Sequence, residues 1–562
     1  MSKHQPVAAL RVANEAFLVA SMIERCPKTM MLRELVVNAI EAAQASTGGL
    51  VEIRARTIDG VRKLSIWNTG RGLSAAELYA ICDLASSLNK QNSLDGNFGM
   101  GAKVASLPSN RHGLRYRSCK DGVVSEVVMG ERDGVYGRLR RGEAEVYDVS
   151  QDCRNEGGYD LGIDWTEVVL FGNRPEQDTV ADPFCGNPKS PFDWLVRNLT
   201  LRFWKLPPGV ALRIMPEVLG TAEARTLQCL AERRDSFGRT ETVTTASGIA
   251  LHYFYDPAEG ASTRSARGAL VTPGAFACLV YKNEIYDVRD GDRWLQEAPI
   301  FGFPFGARFI SVLVELPDDY PVRPEAYRQF LRFRGGDQRQ VFVQELGQLV
   351  RAHIPGWLAD VVRSFGPQNT DFSEAMESEL RDLLIELDVA AQYVPPPPKV
   401  TQPPAKAPQP AAAEAMQQPP AKPVPPKKRY ERPPQIIGLD TEALVEERGL
   451  AGRAAKFYPQ SHQLFVNLHY ASITSLADHL TAEFSHVEAP EAVREKALAI
   501  ARRMITSRIA RALIFSLTKK ANGWTIQQVQ TAQSPETLSL IADDWATLHE
   551  SARLALEQAL VV

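Results

Sequence analysis

The sequence is poor in cysteine, and its cysteines are not spaced for a metal site or a disulfide framework. The seven cysteines are scattered along 562 residues, and no two of them form a CxxC pair. An odd, dispersed set argues against the disulfide-stapled fold of small secreted domains and against a zinc ribbon. This pattern favours a reducing compartment, so we expect a cytoplasmic protein.

Long apolar runs and an excess of positive charge are also missing. No apolar stretch approaches the ~18 residues needed to cross a membrane, and the first residues show no signal-peptide pattern. Lysine and arginine number 64 against 67 aspartates and glutamates, which gives a net charge of -3. We therefore expect a soluble protein without a membrane partner, whose contacts with nucleic acid, if it makes any, are local.

What the chain does contain is enough apolar residues for several cores, and one proline-rich segment. The length of 562 residues suggests about three folding units. The 44% of apolar residues is typical of a globular protein and is enough to form their cores. Fifteen of the 37 prolines lie between Pro395 and Pro434. Because this composition favours extended polyproline II, we predict a disordered linker over residues 395–436.

Hydrophobic periodicity predicts an α+β protein. Apolar residues recur at helical spacing from Leu32 to Ala43, with Thr29 as the expected N-cap. Two β-hairpins are predicted, turning at Asp59-Gly60 and at Asp121-Gly122. Strand patterns return from about residue 245, and a helical stretch is expected over residues 339–365. Beyond the linker the patterns are mostly helical.

Three polar residues lie along one stripe of the first long helical segment. Glu34, Asn38 and Glu41 occupy positions i, i+4 and i+7, beside the apolar face. Taken alone, this stripe is more typical of a solvent-facing side of the helix than of a functional site.

Two glycine-containing segments follow the helix. Gly70 and Gly72, in WNTGRGL, let the backbone turn sharply and approach a flat ligand, although a simple turn explains them equally well. The segment GNFGMGAK, residues 96–103, opens a predicted helix whose amides could face phosphates. Thr166 then begins the strand pattern TEVVLF.

In this order the segments resemble the GHKL ATPase superfamily, which includes gyrase, the large heat-shock chaperone, histidine kinases and MutL. ELVVNAIEA matches the family's Glu-x-x-x-Asn helix, NTGRG approximates its Asp-x-Gly-x-Gly adenine loop, and GNFGMG meets its Gly-x-x-Gly-x-Gly motif. WTEVVLFGNRP is similar to the MutL segment that carries a threonine near adenine. The resemblance covers roughly residues 15–175 and implies a Bergerat-type ATP-binding α/β sandwich.

The resemblance implies roles for the matching residues. Glu34 would be the catalytic base that orients and deprotonates water, and Asn38 would hold Mg²⁺. The implied cofactors are ATP and Mg²⁺. Besides Asn38, the residues implied to bind the nucleotide are Glu41, Asn68, Gly70, Gly72, Lys90, Gly96, Gly99, Met100, Gly101, Lys103 and Thr166.

Asn68 is the main departure from the family pattern, which has an aspartate at this position. An asparagine can still accept a hydrogen bond from the adenine amino group through its carbonyl oxygen. It lacks the charge of the aspartate, which is worth on the order of 1 kcal/mol. The effect of Asn68 on nucleotide preference therefore stays open.

The part of the chain beyond about residue 240 resembles, by order and pattern, the transducer domain of the MutL, topoisomerase and chaperone branches. A basic residue of that domain reaches the γ-phosphate; here it would be Arg328, with Arg323 as the second choice, while a surface role explains either arginine equally well. The predicted parts are an ATP-binding domain (1–235), a transducer-like α+β domain (236–370), a helix (371–394), the linker (395–436) and a mostly helical domain (437–562).

Together these features predict an ATPase that forms a homodimer on binding ATP and acts on an unknown protein or nucleic-acid client. Chaperone-like, MutL-like, MORC-like and phage lysis-inhibition-like roles are not separated by the sequence. Two alternatives stay open. One is a nucleotide-gated binding scaffold without significant turnover, and the other is a nucleic-acid clamp.

Overall fold

The computed structural model describes residues 13–83, 101–191, 193–257, 274–336, 338–367, 373–387, 432–519 and 523–561. In this part of the chain the predicted α+β class is confirmed, with several sheets and a helical C-terminal region. The chain divides into two compact units, Met1–Glu297 with Ala307–Leu358, and Ala298–Gly306 with Ala359–Val562. The finer division predicted from the sequence stays a prediction.

A nine-stranded sheet is the largest element of the first unit. Its strands are β1 Gly49–Ile58, β2 Val61–Thr69, β3 Gly113–Lys120, β4 Val123–Arg132, β5 Val135–Arg138, β6 Val146–Asp148, β7 Trp165–Gly172, β8 Val210–Ile214 and β9 Arg225–Thr226. Their order is β5-β4-β3-β7-β2-β1-β8-β9, with β6 paired to β4. The β1–β8 pair is parallel and the other pairs are antiparallel.

Helices accompany both faces of this sheet. They are α1 Glu15–Arg25, α2 Met31–Ala43, α3 Ala75–Ile81, α4 Gly101–Ser106, α5 Ser150–Glu156, α6 Trp194–Thr200 and α7 Pro216–Leu219. On one face α2 packs on β1 and β2, where Val36 and Ile40 share a core with Val51 and Ile66. We call this the α2 face. On the opposite face Trp165 packs in a smaller cluster beside α5.

The first unit also contains a five-stranded sheet. Its strands are β10 Arg239–Thr244, β11 Ala250–Tyr255, β12 Phe276–Tyr281, β13 Glu284–Asp290 and β14 Ile310–Leu316. They are ordered β10-β11-β14-β12-β13, and β12 runs parallel to β14. Helix α8 Gly291–Glu297 lies between β13 and β14 in the chain. The elements after β14 are β15 Val322–Pro324, β16 Leu331–Phe333, α9 Gly347–Ala352 and α10 Gly356–Phe365.

The second unit is mostly helical and contains a three-stranded sheet. Its elements are α11 Ser373–Glu386, β17 Gln435–Leu439, α12 Glu442–Glu447, β18 Ala455–Tyr458, β19 Gln463–Asn467, α13 Ala471–Phe484, α14 Pro490–Lys519, α15 Ile526–Ala532, α16 Pro535–Asp543 and α17 His549–Val561. The strand order is β17-β19-β18. The 30-residue α14 contacts α11, α13, α16 and α17, so it forms the centre of the helical packing.

Both predicted hairpin turns are confirmed. Asp59 and Gly60 join the antiparallel pair β1–β2 with φ angles of 50° and 76°, and Asp121 and Gly122 join β3–β4 with 51° and 79°. Two consecutive residues with positive φ are characteristic of a type I′ turn, which matches the twist of the flanking strands.

Two local predictions are wrong. Thr29 lies inside a 3₁₀ turn, Lys28–Met30, and α2 begins at Met31 without a side-chain cap. Residues 339–365 do not form one helical stretch, because α9 ends at Ala352 and α10 begins only at Gly356. Pro355 lies in this break, where its ring disfavours the helical conformation of the residue before it.

Within the described ranges, every helix is too short or too polar to cross a lipid bilayer.

Candidate functional site

Glu34 lies in the first turn of α2 and is buried, with 7% of the residue exposed. Gly101, the first residue of α4, makes room for its carboxylate. A Cβ atom at Gly101 would lie 2.0 Å from Oε2 of Glu34, a distance no real side chain could tolerate. The absence of a side chain at Gly101 therefore allows the carboxylate to lie against the start of α4.

Arg33 holds the other oxygen of Glu34. Its Nη1 donates to Oε1 of Glu34 at 2.5 Å, while Nε donates to Oε2 of Glu284 at 2.9 Å and Nη2 donates to Oε1 of Glu284. Burial works to lower the pKa of Arg33, but the charges of Glu34 and Glu284 outweigh it and raise that pKa above its ordinary value. Oε1 of Glu34 is therefore paired with a charged donor.

Glu284 belongs to the five-stranded sheet and lies directly after a tight turn, where its carboxylate accepts from Arg33 of α2. Lys282 and Asn283, with φ angles of 50° and 65°, connect β12 to β13, and Glu284 is the first residue of β13. Nε of Arg202 also donates to its Oε2, at 3.0 Å. Burial would raise the pKa of Glu284, but the charges of Arg202 and Arg33 lower it to about 2.

Of the two arginines considered for the γ-phosphate, Arg328 is the one that lies near this cluster. Its charge contributes to the low pKa of Glu284, and its carbonyl oxygen accepts a hydrogen bond from Nη2 of Arg202 at 3.0 Å. Arg323 instead donates to Oε1 of Gln338 at 2.9 Å on the exposed side of the β15–β16 ribbon. Arg33 and Arg202 also line a cavity of 380 Å³.

Asn38 and Glu41 continue the stripe of α2 toward solvent. Asn38 is exposed and Glu41 is half-buried. The described residues contain no group of three or more His, Cys, Asp or Glu side chains placed to hold a metal ion. Mg²⁺ commonly takes only one or two protein oxygens and completes its shell with phosphate oxygens and water. An exposed amide such as Asn38 fits that kind of partial site.

Three polar residues from neighbouring strands form a row at one end of the sheet. Asn68 on β2 pairs with Thr166 on β7, and Thr166 pairs with Ser118 on β3. Alternate residues of a strand share a face, and Ile66, Val168 and Tyr116, two positions away from these residues, all belong to the α2 core. The polar row Asn68–Thr166–Ser118 therefore lies on the α2 face of the sheet.

Hydrogen bonds fix each member of the polar row. Nδ2 of Asn68 donates to the carbonyl oxygen of Thr69 at 2.9 Å. Oγ of Ser118 lies 2.8 Å from Oγ1 of Thr166, donates to the carbonyl oxygen of Trp165 at 2.9 Å, and accepts from the amide of Leu73 at 2.8 Å. Ser118 thus connects Thr166 to the loop that follows β2. The sequence pattern did not identify Ser118, Arg33 or Glu284.

Gly70 and Gly72 are required by the packing of this loop on the protein itself. Gly72 has a φ of 59°, and a Cβ atom there would lie 2.0 Å from the carbonyl oxygen of Cys119. A Cβ atom at Gly70 would lie 2.9 Å from the carbonyl oxygen of Ala42, near the end of α2. The two glycines therefore hold the loop against α2 and β3, beside the polar row.

Lys103 lies in α4, and its ammonium group is bound to the end of α3. Nζ donates to the carbonyl oxygens of Ile81 at 2.5 Å and Asp83 at 2.6 Å, at the end of α3. Burial lowers the pKa of Lys103 to about 8. The predicted nucleotide-binding residues Lys90, Gly96, Gly99 and Met100 lie outside the described residues.

The structure thus places the predicted residues in two groups on the α2 face of the sheet. One group is Glu34 with Gly101 and the arginines around Glu284, and the other is the polar row with its glycine loop. No protein-family model matches this sequence, and no curated protein matches it significantly. Support for a function therefore comes from the motifs and from the geometry of these two groups.

Proposed function

We propose that the protein binds ATP and hydrolyses it to ADP and phosphate with the help of Mg²⁺, as its motif resemblance to the GHKL ATPases suggests. The observation that carries the proposal is the position of Asn68 and Thr166. They come from separate sequence motifs, yet they are directly paired across β2 and β7 on the face covered by α2. The helix that brings Glu34 packs over the same face.

Each group has a chemical task in this proposal. The polar row and the loop with Gly70 and Gly72 bind the base, while Glu34 orients a water molecule and accepts its proton. Mg²⁺, held by Asn38 and the phosphates, would neutralise the charge that develops on the phosphoryl oxygens. Arg328 is the proposed contact to the γ-phosphate.

The direct test is ATP turnover by the purified full-length chain, measured as phosphate release with and without Mg²⁺. We expect turnover that requires Mg²⁺. The reaction is repeated with double-stranded DNA, single-stranded DNA and an unfolded protein. The additive that stimulates ATP turnover identifies the class of client. Absence of ATP binding by calorimetry in all of these conditions would refute the proposal.

Replacing Asn68 tests the contact to the base. Asn68→Leu removes the acceptor at similar volume, and we expect ATP affinity to fall by roughly tenfold or more, because an amino group bound there would lose its partner. Asn68→Asp keeps an acceptor oxygen and gains charge, although it loses the donor to Thr69. It should therefore bind ATP more tightly than the leucine variant. Wild-type affinity in Asn68→Leu, measured by calorimetry, would contradict the role of Asn68.

ATP-dependent dimerisation is the proposed partner interaction. A non-hydrolysable ATP analogue should raise the mass measured by light scattering from that of one 62.1 kDa chain toward that of two. A single chain at every protein concentration, with and without the analogue, would show that this part of the proposal is wrong. We also propose a cytoplasmic location, which suits the seven free cysteines.

A nucleotide-gated scaffold is the second candidate, and one observation favours it. Arg33 already donates a charged hydrogen bond to Oε1 of Glu34 at 2.5 Å, so an attacking water would compete with Arg33 for this oxygen. Single-turnover measurements separate the two functions. Phosphate release that stays at the rate of ATP hydrolysis in buffer, despite full ATP occupancy, would favour the scaffold.

A further inference from the structure

One arrangement of the Ser118 hydroxyl group satisfies all of its close polar contacts. A serine hydroxyl has one hydrogen to donate and two lone pairs to accept with. The hydrogen is given to the carbonyl oxygen of Trp165 at 2.9 Å, and one lone pair accepts from the amide of Leu73 at 2.8 Å. All three contacts are satisfied together when the remaining close neighbour, Oγ1 of Thr166 at 2.8 Å, donates its hydrogen to Ser118.

The direction of this hydrogen bond determines what Thr166 can offer to a ligand. Its only hydroxyl hydrogen points to Ser118, inside the sheet, so only lone pairs are left to face outward. Ser118 has no exposed surface, whereas Thr166 is half-buried, so Thr166 is the member of the pair that a ligand can reach.

Asn68 places a second acceptor beside Thr166. One hydrogen of its Nδ2 is donated to the carbonyl oxygen of Thr69, which fixes the amide plane, and Oδ1 is the acceptor at the other end of the amide. Asn68 and Thr166 are directly paired in the β2–β7 register and share the α2 face. Two acceptors therefore lie side by side, without a free hydroxyl donor between them.

We infer that Ser118 is a specificity-determining positioning residue, which orients the Thr166 hydroxyl so that Thr166 and Asn68 together accept hydrogen bonds from an exocyclic amino group. The inference rests on the proposed function and adds the chemistry of base selection to it. The ligand class is a purine nucleotide with a 6-amino group. A 6-oxo purine would bring an acceptor against two acceptors, and such unpaired buried groups are strongly disfavoured.

The test compares ATP with inosine triphosphate, which has the same sugar and phosphates but a 6-oxo group. Calorimetry on the full-length wild type should show ATP binding more tightly by roughly tenfold or more. In Ser118→Ala the Thr166 hydroxyl is free to rotate and donate to the 6-oxo group. The ratio of the two affinities should then fall by roughly three- to tenfold, mostly through tighter binding of inosine triphosphate.

Ser125→Ala is the matched control. Ser125 lies directly opposite Ser118 on β4, is also buried at 4% exposure, and is one strand further from Thr166. The Ser125→Ala variant should keep the wild-type ratio of ATP affinity to inosine triphosphate affinity. In a Thr166→Val background, Ser118→Ala should not change this ratio further, because no hydroxyl group is left at position 166 to orient. A general weakening of the sheet would lower both affinities equally, so the ratio isolates the positioning role.

The outcomes separate this inference from the proposed function. If the wild type binds neither nucleotide, the proposed function is wrong and the inference falls with it. If the wild type binds ATP but Ser118→Ala keeps the wild-type affinity ratio, as Ser125→Ala does, only the inference is overturned. A wild type that prefers inosine triphosphate also overturns the inference, because the polar row would then present a donor, not two acceptors, to the base.

Discussion

Replacing Glu34 with glutamine should lower the rate of ATP hydrolysis by roughly 10²–10⁴-fold, the range contributed by a general base, while ATP binding stays close to that of the wild type. The amide retains an oxygen that can accept from Nη1 of Arg33, and Arg33 keeps both of its bonds to Glu284. The substitution therefore removes the proton acceptor without leaving a buried charge unpaired. Phosphate release and calorimetry, performed on the same preparation, measure the two quantities.

Glu15→Gln is a suitable control for Glu34→Gln, because Glu15 is an exposed glutamate in the first turn of α1. It should leave both turnover and binding unchanged. Parallel losses of binding and turnover in Glu34→Gln would indicate a structural role for Glu34 and would contradict its assignment as the base.

Replacing Glu167 should destabilise the first unit by about 3–5 kcal/mol, the cost of breaking a buried ion pair by removing one partner. Glu167 is fully buried on the face of the sheet opposite α2, where Oε1 accepts from Nε of Arg56 at 2.8 Å and from Oγ of Ser65 at 2.7 Å. Oε2 accepts from the hydroxyl of Tyr159 at 2.9 Å. Denaturant unfolding of Glu167→Ala measures the loss.

The pH dependence of the free energy of unfolding provides a second test of the role of Glu167. Burial would raise its pKa, but the Arg56 charge and the Ser65 hydrogen bond hold that pKa below its ordinary value. A carboxylate with a lowered folded-state pKa contributes its stability above the unfolded value of about 4.3 and loses it as the pH falls through the folded-state pKa. The stability difference between wild type and variant should therefore be constant from neutral pH down to about pH 4.3 and should narrow below it.

Glu176→Gln is the control for Glu167, since its ion pair with Arg174 is 3.6 Å long and both side chains are about two-thirds exposed. An exposed pair of this kind contributes at most about 1 kcal/mol, so this variant should unfold almost like the wild type. Equal destabilisation by both substitutions would show that burial of the Arg56–Glu167 pair is not the cause.

Local sequence signals predicted the elements that depend on neighbouring residues. The turns at Asp59-Gly60 and Asp121-Gly122 follow from the backbone freedom of these residues. The apolar spacing of α2 likewise predicted a helix with one buried side. The prediction of Thr29 as the N-cap is wrong because a 3₁₀ turn precedes α2, and the sequence carries no distinct signal for this turn.

The candidate site was predicted only in part, because its supporting contacts join distant parts of the chain. Glu34 was found through its helix motif, but the bond between Arg33 and Glu284 spans 251 positions, and that between Ser118 and Thr166 spans 48. Arginine and serine occur at many surface positions, so neither stood out. Lys103, which the motif places near phosphates, donates to two carbonyl oxygens at the end of α3, and this contact also joins distant parts of the chain.

Consecutive side chains of β7 lie on opposite faces of the sheet. The Arg56–Glu167 ion pair on one face therefore depends on the same strand register as the polar row on the other. Thr166 faces α2, whereas Trp165 and Glu167 face the other side. If β7 paired one residue out of step, an indole or a carboxylate would replace Thr166 beside Asn68, and Arg56 would lose its partner in a buried environment. The Arg56–Glu167 pair thus penalises the mispaired chain that would lose the polar row, and so protects the site from the opposite side of the sheet.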